Sequence, residues 1–96
     1  MDFHSELTDR LYKVISELDT VEECRRFFED LCTIKEIQDM GQRLETAILL
    51  DKGLSYKQIA DTVGISSATI SRVSRSLSYG SDGYRMVIDR LKEEKK

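Results

Sequence analysis

Ninety-six residues with 40% apolar and 34% charged side chains, no proline and a net charge of −3 describe one small soluble domain. The length excludes a barrel or a doubly wound sheet, and no apolar run approaches the roughly 18 residues that would span a membrane. The overall charge argues only weakly against nucleic acid, because residues 1–53 hold 13 acidic and 7 basic side chains whereas residues 54–81 hold Lys57, Arg72 and Arg75 against Asp61 alone.

Capping-box spacing marks the helix starts. A Ser or Thr caps the helix, and a Glu or Gln three residues on reaches back to it. Thr20–Glu23, Thr33–Glu36 and Ser55–Gln58 fit, and Ser5 fits without the third member. Helical apolar spacing then predicts six helices. The first, about 4–18, carries Leu7, Leu11, Val14, Ile15 and Leu18 on one face. The second, about 21–31, carries Val21, Cys24, Phe27, Phe28 and Leu31. The third, about 34–52, carries Ile37, Met40, Leu44, Ala47 and Ile48 and stops at Gly53, which suits a left-handed helix end. The fourth, about 56–63, carries Ile59, Ala60 and Val63. The fifth, about 67–78, starts after the serine pair Ser66-Ser67 and carries Ile70, Val73 and Leu77. Tyr79 to Tyr84 reads as a loop with Gly80 and Gly83 as breakers, and a sixth helix, about 83–93, carries Met86, Val87, Ile88 and Leu91. The fold class is all-α. Residues 1–53 are expected to supply dimerisation helices, 54–78 a helix-turn-helix, and 82–94 a C-terminal helix of one domain.

The segment 56–75 carries the function. A helix-turn-helix crosses two short helices steeply through a tight turn. It needs a small residue at the close approach, a glycine in the turn and apolar residues in the wedge. Ile59, Ala60, Val63, Gly64, Ile65, Ile70 and Val73 meet these demands. At about 100° per residue, Ile70, Val73 and Leu77 face inward, and Ser67, Ala68, Ser71 and Arg75 fall broadly opposite. Small side chains let a helix enter the major groove, and arginine can grip guanine or phosphate. No Asp or Glu occurs from Thr62 to Ser81, as a surface facing phosphates requires. Ser66 at the helix entrance joins this set. Tyr56 and Lys57 open the first helix of the pair, which crosses the DNA backbone in this motif, and so are phosphate-contact candidates. Thr69, Arg72 and Ser76 form a third stripe, for which Arg43 of the third helix is a plausible opposite wall.

From about Leu31 to Leu77 the chain resembles the tryptophan repressor family, in its YerC/YecD branch. The matching residues are Thr33, Met40-Gly41-Gln42-Arg43, Lys52-Gly53-Leu54-Ser55, Gly64 to Arg72, and Ser76-Leu77. The resemblance implies an intertwined homodimer that binds double-stranded DNA as a regulator, with a reading head from each subunit. It also implies an effector pocket, in which Arg43, Arg72, Thr33, Thr69 and Ser76 match the positions that hold tryptophan as corepressor. Guanidinium groups stack on aromatic rings and pair with carboxylates, so the chemistry is coherent. One departure bears on the ligand. Val73 stands where the family places glycine beside the indole, and its isopropyl group would intrude on a flat ring. Asp30 and Cys32 also replace apolar residues.

Two other readings compete. Leu54-Ser-Tyr-Lys-Gln-Ile-Ala60 also looks like the DNA-binding end of sigma factors and transposases, which would act as a monomer or through RNA polymerase. A helical adaptor that binds no DNA would leave the Ser/Arg face without a purpose. No enzyme is expected. His4 stands alone, no Cys/His cluster has metal-ligand spacing, and Gly80 to Gly83 lacks the strand and lysine of a phosphate-binding loop. Met1-Asp2-Phe3-His4 lacks the features of a signal peptide, so a cytoplasmic location is expected, with Cys24 and Cys32 reduced, buried and structural.

Overall fold

The computed structural model describes residues 5–94. They form α1 (Glu6–Ser16), α2 (Val21–Leu31), α3 (Ile34–Asp51), α4 (Tyr56–Val63), α5 (Ser67–Tyr79) and α6 (Gly83–Glu94), with no strand among them. All six expected helices are present. His4 lies outside the described residues.

Side-chain caps set most of the starts. At α3 and α4 the box closes fully: Thr33 N–H donates to the Glu36 carboxylate at 2.8 Å, and Ser55 N–H to the Gln58 side-chain carbonyl at 2.8 Å. The return bonds, from Glu36 N–H to the Thr33 hydroxyl and from Gln58 N–H to the Ser55 hydroxyl, are 3.1 and 3.2 Å. At α1 the third member is Thr8, whose hydroxyl accepts from Ser5 N–H at 3.0 Å. Thr20 departs from the expected box. Its hydroxyl accepts from Glu23 N–H at 3.1 Å, but the Glu23 carboxylate reaches past it to Asp19 N–H at 2.9 Å. The cap of α5 is Ser66, the first serine of the pair, which accepts from Thr69 N–H at 3.2 Å.

The stops follow backbone chemistry. Beyond α3, Gly53 has φ of 88°, Gly53 N–H bonds to the Leu50 carbonyl and Leu54 N–H to the Leu49 carbonyl, the two bonds of a Schellman stop. α4 ends at Gly64, whose φ of 82° and ψ of 34° are left-handed. The expected loop 79–84 is shorter than the sequence suggests. Tyr79 completes α5, Gly83 and Tyr84 belong to α6, and Asp82 rather than a glycine carries the positive φ, at 65°. Asp visits this region at lower cost than most side chains.

The chain divides into two compact units, Met1–Ile37 and Gln38–Lys96. In the first, neither α1 nor α2 has a buried residue, although both are amphipathic. Val21 is 82% exposed and Leu7 75%. Phe27 and Phe28 meet edge to face with centroids 5.8 Å apart, both half-buried. Cys24 and Cys32 are free and half-buried rather than buried, on a unit whose helices bury no residue fully.

The second unit holds the core. Leu49, Ile59 and Ile70 join α3, α4 and α5, with Leu54, Ala60, Val63 and Ile65 packed against them. Ala47, Val73 and Ile88 join α3, α5 and α6, with Ile48, Leu77 and Tyr84 alongside. Leu50 touches both clusters. Burying an isoleucine is worth about 1.5–3 kcal/mol, so these few contacts hold the second unit together. Thr46 is wholly buried and satisfied, its hydroxyl donating to the Gln42 carbonyl at 2.8 Å. Three expected inward residues, Leu44, Met86 and Val87, are exposed, because the buried strips of α3 and α6 are narrower than their apolar content. The end of α3 is tied to α6 by charge. Asp51 accepts from Arg85 at 2.6 Å and from Lys92 at 2.7 Å.

Candidate nucleic-acid interface

α4 and α5 pack against each other, and α5 also packs against α6. Ile59 and Ile70, both without exposed surface, seal the α4–α5 wedge. Gly64 makes the steep crossing possible. Its N–H bonds to the Ala60 carbonyl at 2.9 Å, and the left-handed backbone then turns the chain through Ile65 into the Ser66 cap. The result is a helix-turn-helix with the core on one side of α5 and Ser67, Ala68, Ser71, Arg72 and Arg75 exposed on its remaining surface.

Electrostatics set this surface apart from α1, α2 and α3. The first turns of α1, α2 and α3 carry acidic residues, which answer the positive helix N-terminus internally. Those of α4, α5 and α6 carry none. First-turn N–H groups lack intrahelical acceptors, so an N-terminus without its own acid can meet an external anion. Among the described residues, no ion pair engages Lys57, Arg72 or Arg75. Arg25, Arg85 and Lys92 all have carboxylate partners. The basic side chains of the two-helix unit are therefore open to a negative partner.

Two of the expected contact residues are also engaged within the fold. The hydroxyl of Ser66 serves the α5 cap and meets the Thr69 hydroxyl at 3.1 Å. The Tyr56 phenol lies near the side chains of Ser74 and Ser71, whose hydroxyls draw its pKa below the ordinary 10.0. Ser74 was not among the expected site residues. Its spacing from Ser71 places both on one side of α5, but only the crossing of α4 over α5 shows that a tyrosine meets them.

A family profile described as Trp repressor protein matches residues 6–92. The chain belongs to the Trp repressor family. A relative in Bacillus subtilis (strain 168), the uncharacterized protein YerC, is 54% identical over 85 residues, covering 88% of this chain and 82% of YerC. Among solved structures, a TrpR-like protein from Eubacterium eligens has a TM-score of 0.89 at 45% identity, over 92% of this chain and 91% of that one. A candidate Trp repressor from Staphylococcus aureus has a TM-score of 0.89 at 45% identity, over 93% and 89% of the two chains.

In this Trp repressor family chain, the five positions suggested for an effector have other duties or none. Thr33 belongs to the first unit and spends both its N–H and its hydroxyl on the α3 capping box. Thr69 is half-buried, with its hydroxyl against Ser66. Arg43, Arg72 and Ser76 are exposed. Val73 is 2% exposed and packs with Ala47 and Ile88. Val73 is thus a core residue of α5, as its spacing suggests.

Proposed function

We propose that this protein is a sequence-specific DNA-binding transcription regulator, a repressor that acts as a homodimer on a two-fold operator. The observation that carries the reading is the two-helix unit itself. A left-handed Gly64 sets α5 across α4, and α5 presents an acid-free face of small side chains with Arg72 and Arg75 unpaired. Small side chains permit entry into a groove about 12 Å wide, and free guanidinium groups supply base or phosphate contacts. Lys57, Tyr56 and Ser66 are assigned to the backbone and groove walls, and Ser67, Ala68, Ser71 and Arg75 to base edges.

A second copy of this chain is the partner. α1 and α2 carry apolar stripes with no buried residue, and a chain of this size has little core of its own. Pairing of two chains would cover those stripes and present two reading helices. The match with the Trp repressor family over residues 6–92 favours this reading over a monomeric sigma-factor-like or transposase-like module. Because Val73 fills the core, operator binding is assigned to the protein without tryptophan.

Selection of binding sites from random duplexes, with and without amino acids, tests the proposal. The expected result is a palindromic consensus with half-sites about one helical turn, ~34 Å, apart, recovered equally without amino acids. No enrichment of any sequence overturns it.

A further inference from the structure

The corner between α3 and α4 leaves one lysine standing out. α3 ends at Asp51, and two Schellman bonds turn the chain toward the Ser55 cap of α4: Gly53 N–H to the Leu50 carbonyl at 3.0 Å and Leu54 N–H to the Leu49 carbonyl at 3.2 Å. Leu54 anchors the corner, packed on the Leu49, Ile59 and Ile70 cluster that joins α3, α4 and α5. Lys52 and Gly53 stay exposed, and a Cβ on Gly53 would meet nothing within 4 Å, so the outer side of the corner is open. Lys52 is thereby held four residues ahead of Tyr56, at the start of the helix that crosses the DNA backbone in this motif.

Charge at the corner is sorted as well. The neighbouring acid, Asp51, commits one oxygen to Arg85 at 2.6 Å and the other to Lys92 at 2.7 Å, both on α6. Its negative charge is answered there, so it neither pairs with Lys52 nor meets an incoming phosphate uncompensated. Among the described residues, no ion pair engages Lys52. The first turn of α4 carries no acid and adds Lys57. Two ammonium groups thus flank the Ser55 cap on a backbone fixed by hydrogen bonds.

On the reading that the two-helix unit meets DNA, we propose that Lys52 is a further phosphate contact: the α3–α4 corner extends the positive surface of the interface beyond α4, and the Asp51–Arg85–Lys92 clamp keeps it clear of negative charge. Lys52 precedes the backbone-crossing helix and lies outside α5, so its partner is a phosphate rather than a base edge, and it adds affinity without sequence preference.

The test is the salt dependence of binding, by gel shift on the duplex that wild type selects and on a scrambled one. Each phosphate neutralised contributes about 0.9 to the slope of log affinity against log salt. Lys52→Gln is expected to reduce the slope by about 0.9 on both duplexes, Lys52→Arg to restore it, and discrimination between the duplexes to stay unchanged. Arg90→Gln is the control for net charge. Arg90 is exposed, has no ion pair among the described residues, and lies about 200° around α6 from buried Ile88. Its variant is expected to keep the wild-type slope. An unchanged slope for Lys52→Gln overturns the proposal, and a loss of stability in urea without a change of slope marks a charge that serves only the end of α3. An equal fall in slope for Arg90→Gln overturns it too, since net charge then explains the effect. Lost discrimination in Lys52→Gln marks a base contact and overturns the phosphate assignment. If wild type binds no duplex even at low salt, the regulator reading itself fails; if wild type binds and Lys52→Gln keeps its slope, only the Lys52 contact fails.

Discussion

The Asp51 carboxylate holds Arg85 at 2.6 Å, and with Lys92 at 2.7 Å on its other oxygen it fastens the last residue of α3 to α6. α6 in turn packs on α5, so this clamp stands behind the proposed reading helix. The Asp51 side chain is 12% exposed, whereas those of Arg85 and Lys92 are 41% and 58% exposed.

The clamp makes stability depend on pH. The hydrogen bond from Lys92, then that from Arg85, holds the Asp51 carboxyl below its usual 3.8. A carboxylate with a depressed folded-state pKa stabilises the fold above its unfolded value and loses that contribution as pH falls through the folded value. Urea unfolding should therefore show Asp51→Asn less stable than wild type at pH 7. The gap should close as pH drops below 3.8. High salt should shrink the gap, since the cations are exposed. Equal stabilities at pH 7 would remove the clamp from the account.

Two glycines should answer oppositely to alanine. Gly64 sits at φ of 82°, where a Cβ costs about 1–2 kcal/mol. Gly41 lies within α3, and a Cβ there meets nothing within 4 Å. Gly64→Ala should lower the unfolding free energy and weaken DNA binding by disturbing the α4–α5 crossing. Gly41→Ala should raise the unfolding free energy by up to about 1 kcal/mol from helix propensity alone. Denaturant titration of both variants checks the pair, and a neutral Gly64→Ala would contradict the turn geometry.

Arg75→Ala should reduce the slope of log affinity against log salt by about 1 if the side chain meets phosphate. If Arg75 reads a base, the variant should instead relax one position of the selected site at a cost of about 1–3 kcal/mol. Gel-shift titration at several salt concentrations separates the outcomes. An unchanged affinity at every salt concentration would take Arg75 off the interface.

Phe28→Ala should break assembly and fold together. The ring is half-buried in one chain, stacked edge to face on Phe27. If a second copy completes its burial, truncation should cost about 3–5 kcal/mol. Sedimentation should show wild type as a dimer, with the variant dissociating at concentrations where wild type does not. A wild-type protein that sediments as a monomer would refute the dimer.

Helices were legible in the residues because their signals are local. Caps such as Ser55–Gln58 and stops such as Gly53 and Gly64 act within one turn of backbone, so spacing alone locates them. The inward set Ile59, Ile70 and Val73 was legible for the same reason: one face of a short amphipathic helix can face only one core. Contacts between helices were not legible. The Asp51–Arg85 pair spans 34 residues, a separation that no local spacing reveals. The outward exposure of Met86 and Val87 follows from how narrow a strip of α6 the rest of the unit covers, which depends on three helices at once.

Val73 yields the prediction about small-molecule control. With 2% exposure and contacts to Ala47 and Ile88, it contributes to the core that supports α5. Tryptophan should therefore neither bind measurably by calorimetry nor change the affinity for the selected duplex. Removing the isopropyl group exposes the trade. Val73→Gly loses about 0.8 kcal/mol for each of three buried carbons and a few tenths of a kcal/mol of helix propensity, roughly 3 kcal/mol in all. The wild-type valine is thus a stabilising residue of the α5 core. Tryptophan-dependent duplex binding by the wild-type protein would show that the core opens around Val73, and would overturn the assignment of ligand-independent binding.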